Sequence, residues 1–467
     1  MSGEARSLGT VRGMYVNDPA TGASGPAGGA FRWSSAVLVA AVVLVGAALT
    51  SCSGNSSSPA AQSTSAPSSP STRPAPSTAI KVGVIATRTG VGAGDFATFI
   101  PGMQAYFDMV DEQGGVNGRK LVLADNLDDG GDPDTFTQLA HTLIEQDGDF
   151  AAFISTFWFT PNLFAETKIP TYGYNVSGNW AGPDNLFAAG GSIQDYHALA
   201  APVAYLVKKS HATSVALISY GQGIPGSYPA CSATASDLSK GGIKVSYADF
   251  DASLGGSFTS AVQQMEQHGS NFLVSCIEGS DDVTLARAIQ QYGLKIHQLW
   301  LNGYDQSLLD QYKSLMQGVY VDANGFVPFA AAADFPGDYP GLERYLSAMR
   351  TYEPQHVTDQ LSMQGWQSAA LLAAGIKAAG NDVTQQNVIA QTNRITDFTS
   401  GGITEIVNWT NAHTTQTFPV CPSFVQVQGS NFVPVVRQGH QVFICFGQHV
   451  NLLNPVPVAA PPGTPGG

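Results

Sequence analysis

Gly221, Gly223 and Gly226 fit the spacing G-x-G-x-x-G directly after a β-branched run, a pattern that can seat a pyrophosphate on a helix N-terminus. Asp249 follows 23 residues beyond Gly226, near the ~20-residue interval of a ribose-binding acid. Pro225, however, removes one of the backbone N–H groups that a pyrophosphate needs, so the segment reads as a turn between lobes. The run Asp125 to Phe136 (DNLDDGGDPDTF) imitates a calcium loop, yet it places Leu127 and Phe136 where the ion needs oxygen. It reads as a solvated turn. Sequences of the GxSxG, HExxH and Walker types are absent and the nine His are scattered, so no catalytic constellation, metal or cofactor is expected.

The composition sets wider bounds. With 467 residues, 43% hydrophobic and 12% charged, the chain has material for two or three domains with real cores. Its 35 acidic residues against 21 Lys and Arg give a net charge of -14, which repels phosphate backbones and excludes nucleic acid as a partner. Arg6, Arg12 and Arg32 precede an uncharged run from Ala36 to Leu49, shorter than the ~20 residues that cross a bilayer. This is the pattern of a signal-peptide h-region. Leu49-Thr50-Ser51-Cys52 follows at once and resembles a bacterial lipobox, which marks Cys52 for lipidation and the chain for export to the outer face of the cell membrane. An ordinary secreted protein with a stray cysteine is the alternative, and Met14 is an alternative start to Met1. From Ser53 to Ala79 the chain is almost wholly Ser, Pro, Ala and Thr and reads as a tether with a span of about 30 Å. Cys231, Cys276, Cys421 and Cys445 remain, an even number in an oxidising compartment, and predict two disulfides among three connectivities.

From Ile80 onward short β-branched runs alternate with amphipathic segments of helical length. Strands are predicted at Lys81 to Ala86, Leu121 to Asn126, Ala151 to Ser155 and Pro170 to Tyr174, with helices at Phe99 to Gln113 and from Pro133 to about Gln146. After a helix near Gln194 to Lys209 the rhythm restarts with strands at Ser214 to Tyr220, Lys244 to Phe250, Asn271 to Cys276 and His297 to Gly303. Gly318 to Phe326 is expected to lead back toward the first lobe, to helices at Gly341 to Tyr352, Ser362 to Ala379 and Thr384 to Gln391. The expected fold class is therefore α/β: two doubly wound parallel-sheet lobes joined by a multi-crossing hinge. The expected divisions are 1–51 signal peptide, 52–79 tether, 80–193 and 321–412 lobe one, 194–320 lobe two, 413–452 a C-terminal hairpin with lobe two or the hinge, and 453–467 a disordered tail.

Five segments in order carry a family resemblance: IKVGVIATRTG from Ile80, GGVNGRKLVL from Gly114, DDGGDP from Asp128, SFTSAVQQMEQHGSNFLV from Ser257 and GWQSAALLAAGIKAAG from Gly365. Together they resemble the type I periplasmic binding proteins, specifically the branched-chain amino acid solute-binding component of ABC importers. The resemblance implies a small-molecule ligand, ABC permease subunits as partners, a membrane contact through the lipid anchor, a monomer, and no chemistry on the ligand. It places ligand-carboxylate donors at Ser155 and Thr156, with Asn175 and Ser177 in a matching position after the next strand. Tyr220 takes the place of an aromatic across the ligand, and Asp305, or Glu278 as its substitute, that of the acid facing an ammonium. Ordinary capping or core-edge roles are the plain alternative for each. Phe157-Trp158-Phe159 stands where the family has a serine-rich turn and a longer helix; these aromatics either pack under a shortened helix or, Trp158 included, line an apolar pocket. A ligand sensor on the same fold and a secreted lipoprotein enzyme are the rival functions. For the disulfides, Cys231 opens a helix after lobe two's first strand and Cys276 ends its third, neighbours in doubly wound order, while Cys421 and Cys445 flank a predicted hairpin. The pairing expected is Cys231 with Cys276 and Cys421 with Cys445.

Overall fold

The computed structural model describes residues 78–437 and 439–466. The h-region, Cys52 and nearly all of the tether lie outside the described residues. Both sheets belong to one unit, within Arg73–Gly467.

The first sheet is parallel and built from β1 (Ile80–Ala86), β2 (Leu121–Asp128), β3 (Ala151–Ser155), β4 (Thr171–Gly173) and β5 (Leu186–Ala188), in the order β2-β1-β3-β4-β5. Every residue of β3 is buried, as a strand covered on both faces requires. The short helix α1 (Ala93–Phe96) follows β1 and leads into α2 (Phe99–Glu112). Next comes α3 (Pro133–His141), started by Asp132 as cap and Pro133 at its first position, as the sequence implies. Its expected continuation to Gln146 is a wider π-type turn over Thr142–Asp147. The connection after β3 holds only the short α4 (Asn162–Thr167).

The second sheet contains β6 (Val215–Tyr220), β7 (Val245–Ala252), β8 (Phe272–Cys276), β9 (His297–Trp300), β10 (Tyr320–Asp322), β11 (Phe424–Gln428) and β12 (Asn431–Pro434), in the order β12-β11-β10-β9-β8-β6-β7. Five of these strands run parallel, and the hairpin β11–β12 adds an antiparallel edge through the turn at Gly429 and Ser430. Its helices are α5 (Ala200–Lys209), α6 (Ser227–Lys240), α7 (Thr259–Gln267), α8 (Gly279–Tyr292) and α9 (Gln306–Met316). The chain then returns through α10 (Ala331–Asp334), α11 (Pro340–Tyr352), α12 (Gln360–Ala379) and α13 (Gln385–Thr392). Leu361, Leu371, Leu372 and Ile376 of α12 share a core with Val82, Phe99 and Phe107, so this segment packs on the first sheet.

Two glycines allow that return. A Cβ on Gly365 would stand 1.9 Å from the Phe99 carbonyl oxygen, and one on Gly102 would stand 1.8 Å from that of Ser362. Helices α2 and α12 therefore cross backbone to backbone, and neither contact can be relieved by rotating a side chain.

Three differences from expectation have physical causes. Residues 318–326 do not simply leave lobe two: β10 pairs with β9 and β11 because Tyr320 and Val321 complete its core. The strand β5 escaped notice because it has only three residues, all buried, in a Pro/Gly-rich stretch. The tail at 453–466, expected to lack structure, lies against the body, where Val458 N donates to Cys445 O at 2.8 Å. Both disulfides join the expected partners, Cys231 to Cys276 and Cys421 to Cys445. Among the described residues no helix is long and apolar enough to cross a membrane.

Candidate functional site

Several parallel strands of each sheet end at one cavity of about 340 Å³, within the usual range for small-molecule sites. Tyr174 and Asn175 line it after β4, Gly190 and Gly191 after β5, Tyr220 at the end of β6, Cys276 and Glu278 at β8, Asn302 after β9, and Asp322 at the end of β10. Crevices outside the carboxyl ends of strands are where open α/β sheets bind ligands, because loops there are free to vary over a fixed frame.

The lobe-two wall is tied together by buried hydrogen bonds. Tyr220 Oη donates to Asp281 Oδ2 at 2.7 Å and accepts from Glu278 N at 3.1 Å. Ser227 Oγ, in the first turn of α6, accepts from Tyr220 N at 2.9 Å and donates to Cys276 O at 2.6 Å. The Cys231–Cys276 bridge pins α6 to β8 beside these bonds. Across the cleft, Asn175 Nδ2 donates to Gly191 O at 2.9 Å and leaves its Oδ1 without a protein partner. Phe157 meets Phe96 edge-on at 4.5 Å and closes the lobe-one side.

The cavity is electrostatically one-sided. Asp95 of α1 faces Glu278 and accepts from Gly279 N, so the carboxyls of two lobes meet. Burial, then the facing Glu278, holds Asp95 well above the ordinary carboxylate range. Burial likewise raises Glu278. Asp322, which accepts from Asn324 N at 2.9 Å, is pushed to about 7 by desolvation. Among the described residues no group of three or more His, Cys, Asp or Glu is arranged to hold a metal ion.

Of the residues singled out in the sequence, the structure brings Asn175, Tyr220 and Glu278 to the cavity. It leaves the others elsewhere. Thr156 is buried and accepts from Thr87 Oγ1 at 2.9 Å and from Trp158 N at 3.2 Å, and Ser155 Oγ is buried beneath it with no protein partner. Ser177 caps the short turn Gly178–Trp180. Trp158 packs on the lobe-one cores, the packing role weighed for the aromatic run, while its neighbour Phe157 does reach the cavity. Asp305 caps α9, accepting from Ser307 N at 2.6 Å and Leu308 N at 3.2 Å, and with Asp359 lines a small adjoining crevice that shares Asp95, Glu278 and Asn302 with the cavity. Its lone pairs serve its own helix, the usual fate of an acid in the position before a helix. Sequence reading missed Asp95, Asp195, Asn302, Asp322, Asn324 and Gln364. Asp322 and Asn302 left a signal, polar residues at the ends of a β-branched run and a predicted strand; the others lie on loops and on helices, Gln364 on α12, whose approach to the cleft depends on tertiary packing.

The profile of the periplasmic binding protein family matches residues 79–431. The chain belongs to that family. Its members are solute-binding proteins rather than enzymes. The fold of this binding protein is similar to that of a fatty acid ABC transporter substrate-binding protein from Thermomonospora curvata, with TM-score 0.66 and 16% identity over 83% of this chain and 96% of that one. It is also similar to a branched-chain amino acid ABC transporter protein from Thermus thermophilus with bound valine, with TM-score 0.64 and 16% identity over 77% and 96% of the two chains. A benzoate-bound solute-binding protein from R. palustris aligns with TM-score 0.62 and 16% identity over 76% and 95%. No curated protein matches this binding protein by sequence.

Proposed function

We propose that the chain is an exported, lipid-anchored solute-binding protein that closes its two lobes on a small ligand and delivers it to an ABC importer. The observation that carries this reading is the cavity itself, lined from the strand ends of both sheets. A ligand there touches Asn175 on one lobe and Tyr220 and Glu278 on the other, so closure gains contacts that the open form lacks. Three segments, at 189–199, 323–330 and 413–423, pass between the lobes and supply the hinge. The neighbours that carry valine, benzoate or a fatty acid name support transport as the use of this fold, and Cys52 with its tether supports anchoring just above a membrane.

Thermal-shift measurements with a library of amino acids, amines, organic acids and sugars test the binding reading. A cognate solute at a hundred times its Kd stabilises the folded chain by about 2.7 kcal/mol, a readily measured rise in Tm. Absence of any response across the library refutes it. Membrane fractionation of Cys52→Ala tests the anchor: the variant leaves the membrane or stalls before processing, and a variant that stays processed and membrane-bound refutes anchoring at Cys52.

A further inference from the structure

Among the described residues lining the cavity are four carboxyls, Asp95, Asp195, Glu278 and Asp322, and no Lys, Arg or His. They come from separate places in the chain, so no single helix or turn accounts for their meeting. Positive poles are few. The N-terminus of α8 is already answered by Asp95, which accepts from Gly279 N, and by Asp281 and Asp282 in its first turn. The N-terminus of α6 opens on the cavity at Gly226 and Ser227, but it is worth only about half a charge and Pro229 in its first turn has no N–H.

A second, independent observation concerns hydrogen bonding. Two oxygens on residues lining the cavity lack donors: Asn175 Oδ1, whose orientation is fixed by the bond from Nδ2 to Gly191, and Gln364 Oε1 on a residue only 5% exposed. Both are acceptors. Ammonium and guanidinium groups are donors only, whereas a carboxylate is an acceptor only. The positions at which a family-type carboxylate site is expected, Ser155 and Thr156, are not on the cavity wall.

Resting on the solute-binding reading, we infer that the cleft takes a small organic cation, an amine or guanidinium that carries no carboxylate of its own. The groups facing Asp95, Glu278 and Asp322 are further acids, Asp281, Asp282 and Glu405, and the phenols of Tyr174 and Tyr220. A bound cation therefore draws protons off Asp95, Glu278 and Asp322, and its affinity rises with pH through neutrality.

Isothermal titration of the purified protein with matched probes tests this. 3-Methylbutylamine, leucine and 4-methylpentanoate share one skeleton and differ in which charged groups they carry; agmatine and arginine form a second pair, and glucose is a neutral control. The expected result is that at least one of the two amines binds, at least tenfold more tightly than its amino-acid partner, with proton release seen as a dependence of the heat on buffer ionisation. Asp322→Asn weakens that binding about tenfold or more while the unliganded variant melts no lower than wild type. Tighter binding of leucine, arginine, 4-methylpentanoate or glucose overturns the cation assignment and leaves solute binding intact. Silence of both amines up to about 10 mM also overturns it; silence of the whole solute library in addition removes the solute-binding reading on which it rests.

Discussion

Removing the Cys231–Cys276 bridge is the perturbation whose size follows most simply from the structure. The bond closes a loop with a sequence separation of 45 between the start of α6 and the end of β8. On the chain-entropy model such a loop restricts the unfolded chain by about 13 cal/mol/K, or about 4 kcal/mol at 25 °C. Both cysteines are buried, at 0% and 3% exposure, so alanine is the better replacement because serine would bury a hydroxyl. For a chain of this size the loss corresponds to a fall in Tm of roughly 4–8 °C. Since one bond is removed in either case, Cys231→Ala and Cys276→Ala should each lose nearly as much as the double variant. Calorimetric melts of the three variants under oxidising conditions check this. Additive losses, or a double variant melting within about a degree of wild type, would falsify the bridge as a stabilising tie. Cys276 also lines the cavity, so the same variants should weaken ligand binding by loosening Ser227 and Tyr220.

Other consequences are more local. Gly365→Ala forces α12 away from α2, and overpacking against immovable backbone costs about 3 kcal/mol or more, read as a lower urea midpoint; an unchanged midpoint contradicts the crossing. Tyr220→Phe leaves Glu278 N without its acceptor and Asp281 Oδ2 with Gly255 N as its remaining donor, so stability drops by about 1–3 kcal/mol and solute affinity falls; retention of both rules out the network as the frame of the wall. Because folding raises Asp322 and Asp359 to about 7 and Glu405 to about 8 mainly through burial, the stability they permit is full below the ordinary carboxylate pKa and is lost as pH rises through 7 to 8. Tm should accordingly be higher near pH 5 than near pH 9 in the absence of ligand, and a Tm that climbs over that interval is incompatible with acids held above their ordinary range by desolvation.

Much of the frame was legible because it rests on short-range patterns. The buried runs of β1, β3, β6 and β8, the Asp132–Pro133 start of α3 and the glycine-marked helix ends are local signals, and their alternation implies parallel sheets. The site was less legible. Asn175, Tyr220 and Glu278 were found because they follow strands whose ends converge, whereas Asp305 deceived by standing in the same kind of position while serving as a helix cap. Asp95 and Gln364 reach the cleft only because α1 meets α8 of the other lobe and α12 packs on the first sheet, a long-range arrangement that spacing along the chain does not encode. The aromatic run split between the two roles weighed for it, Phe157 facing the cavity and Phe159 tilted against Trp180 at 4.4 Å in the core, because the turn after β3 breaks the alternation that would put both on one side.

The most direct test of the interlobe site is a crystal structure of the protein with the tightest-binding solute from the thermal-shift library. Ligand density is predicted in the 340 Å³ cavity, in contact with Asn175 on one lobe and with Tyr220 or Glu278 on the other. Density instead in the larger hollow beside Thr404, Phe418 and Pro461, or in the one between Lys168 and Trp409, with the interlobe cavity holding only water, would contradict it.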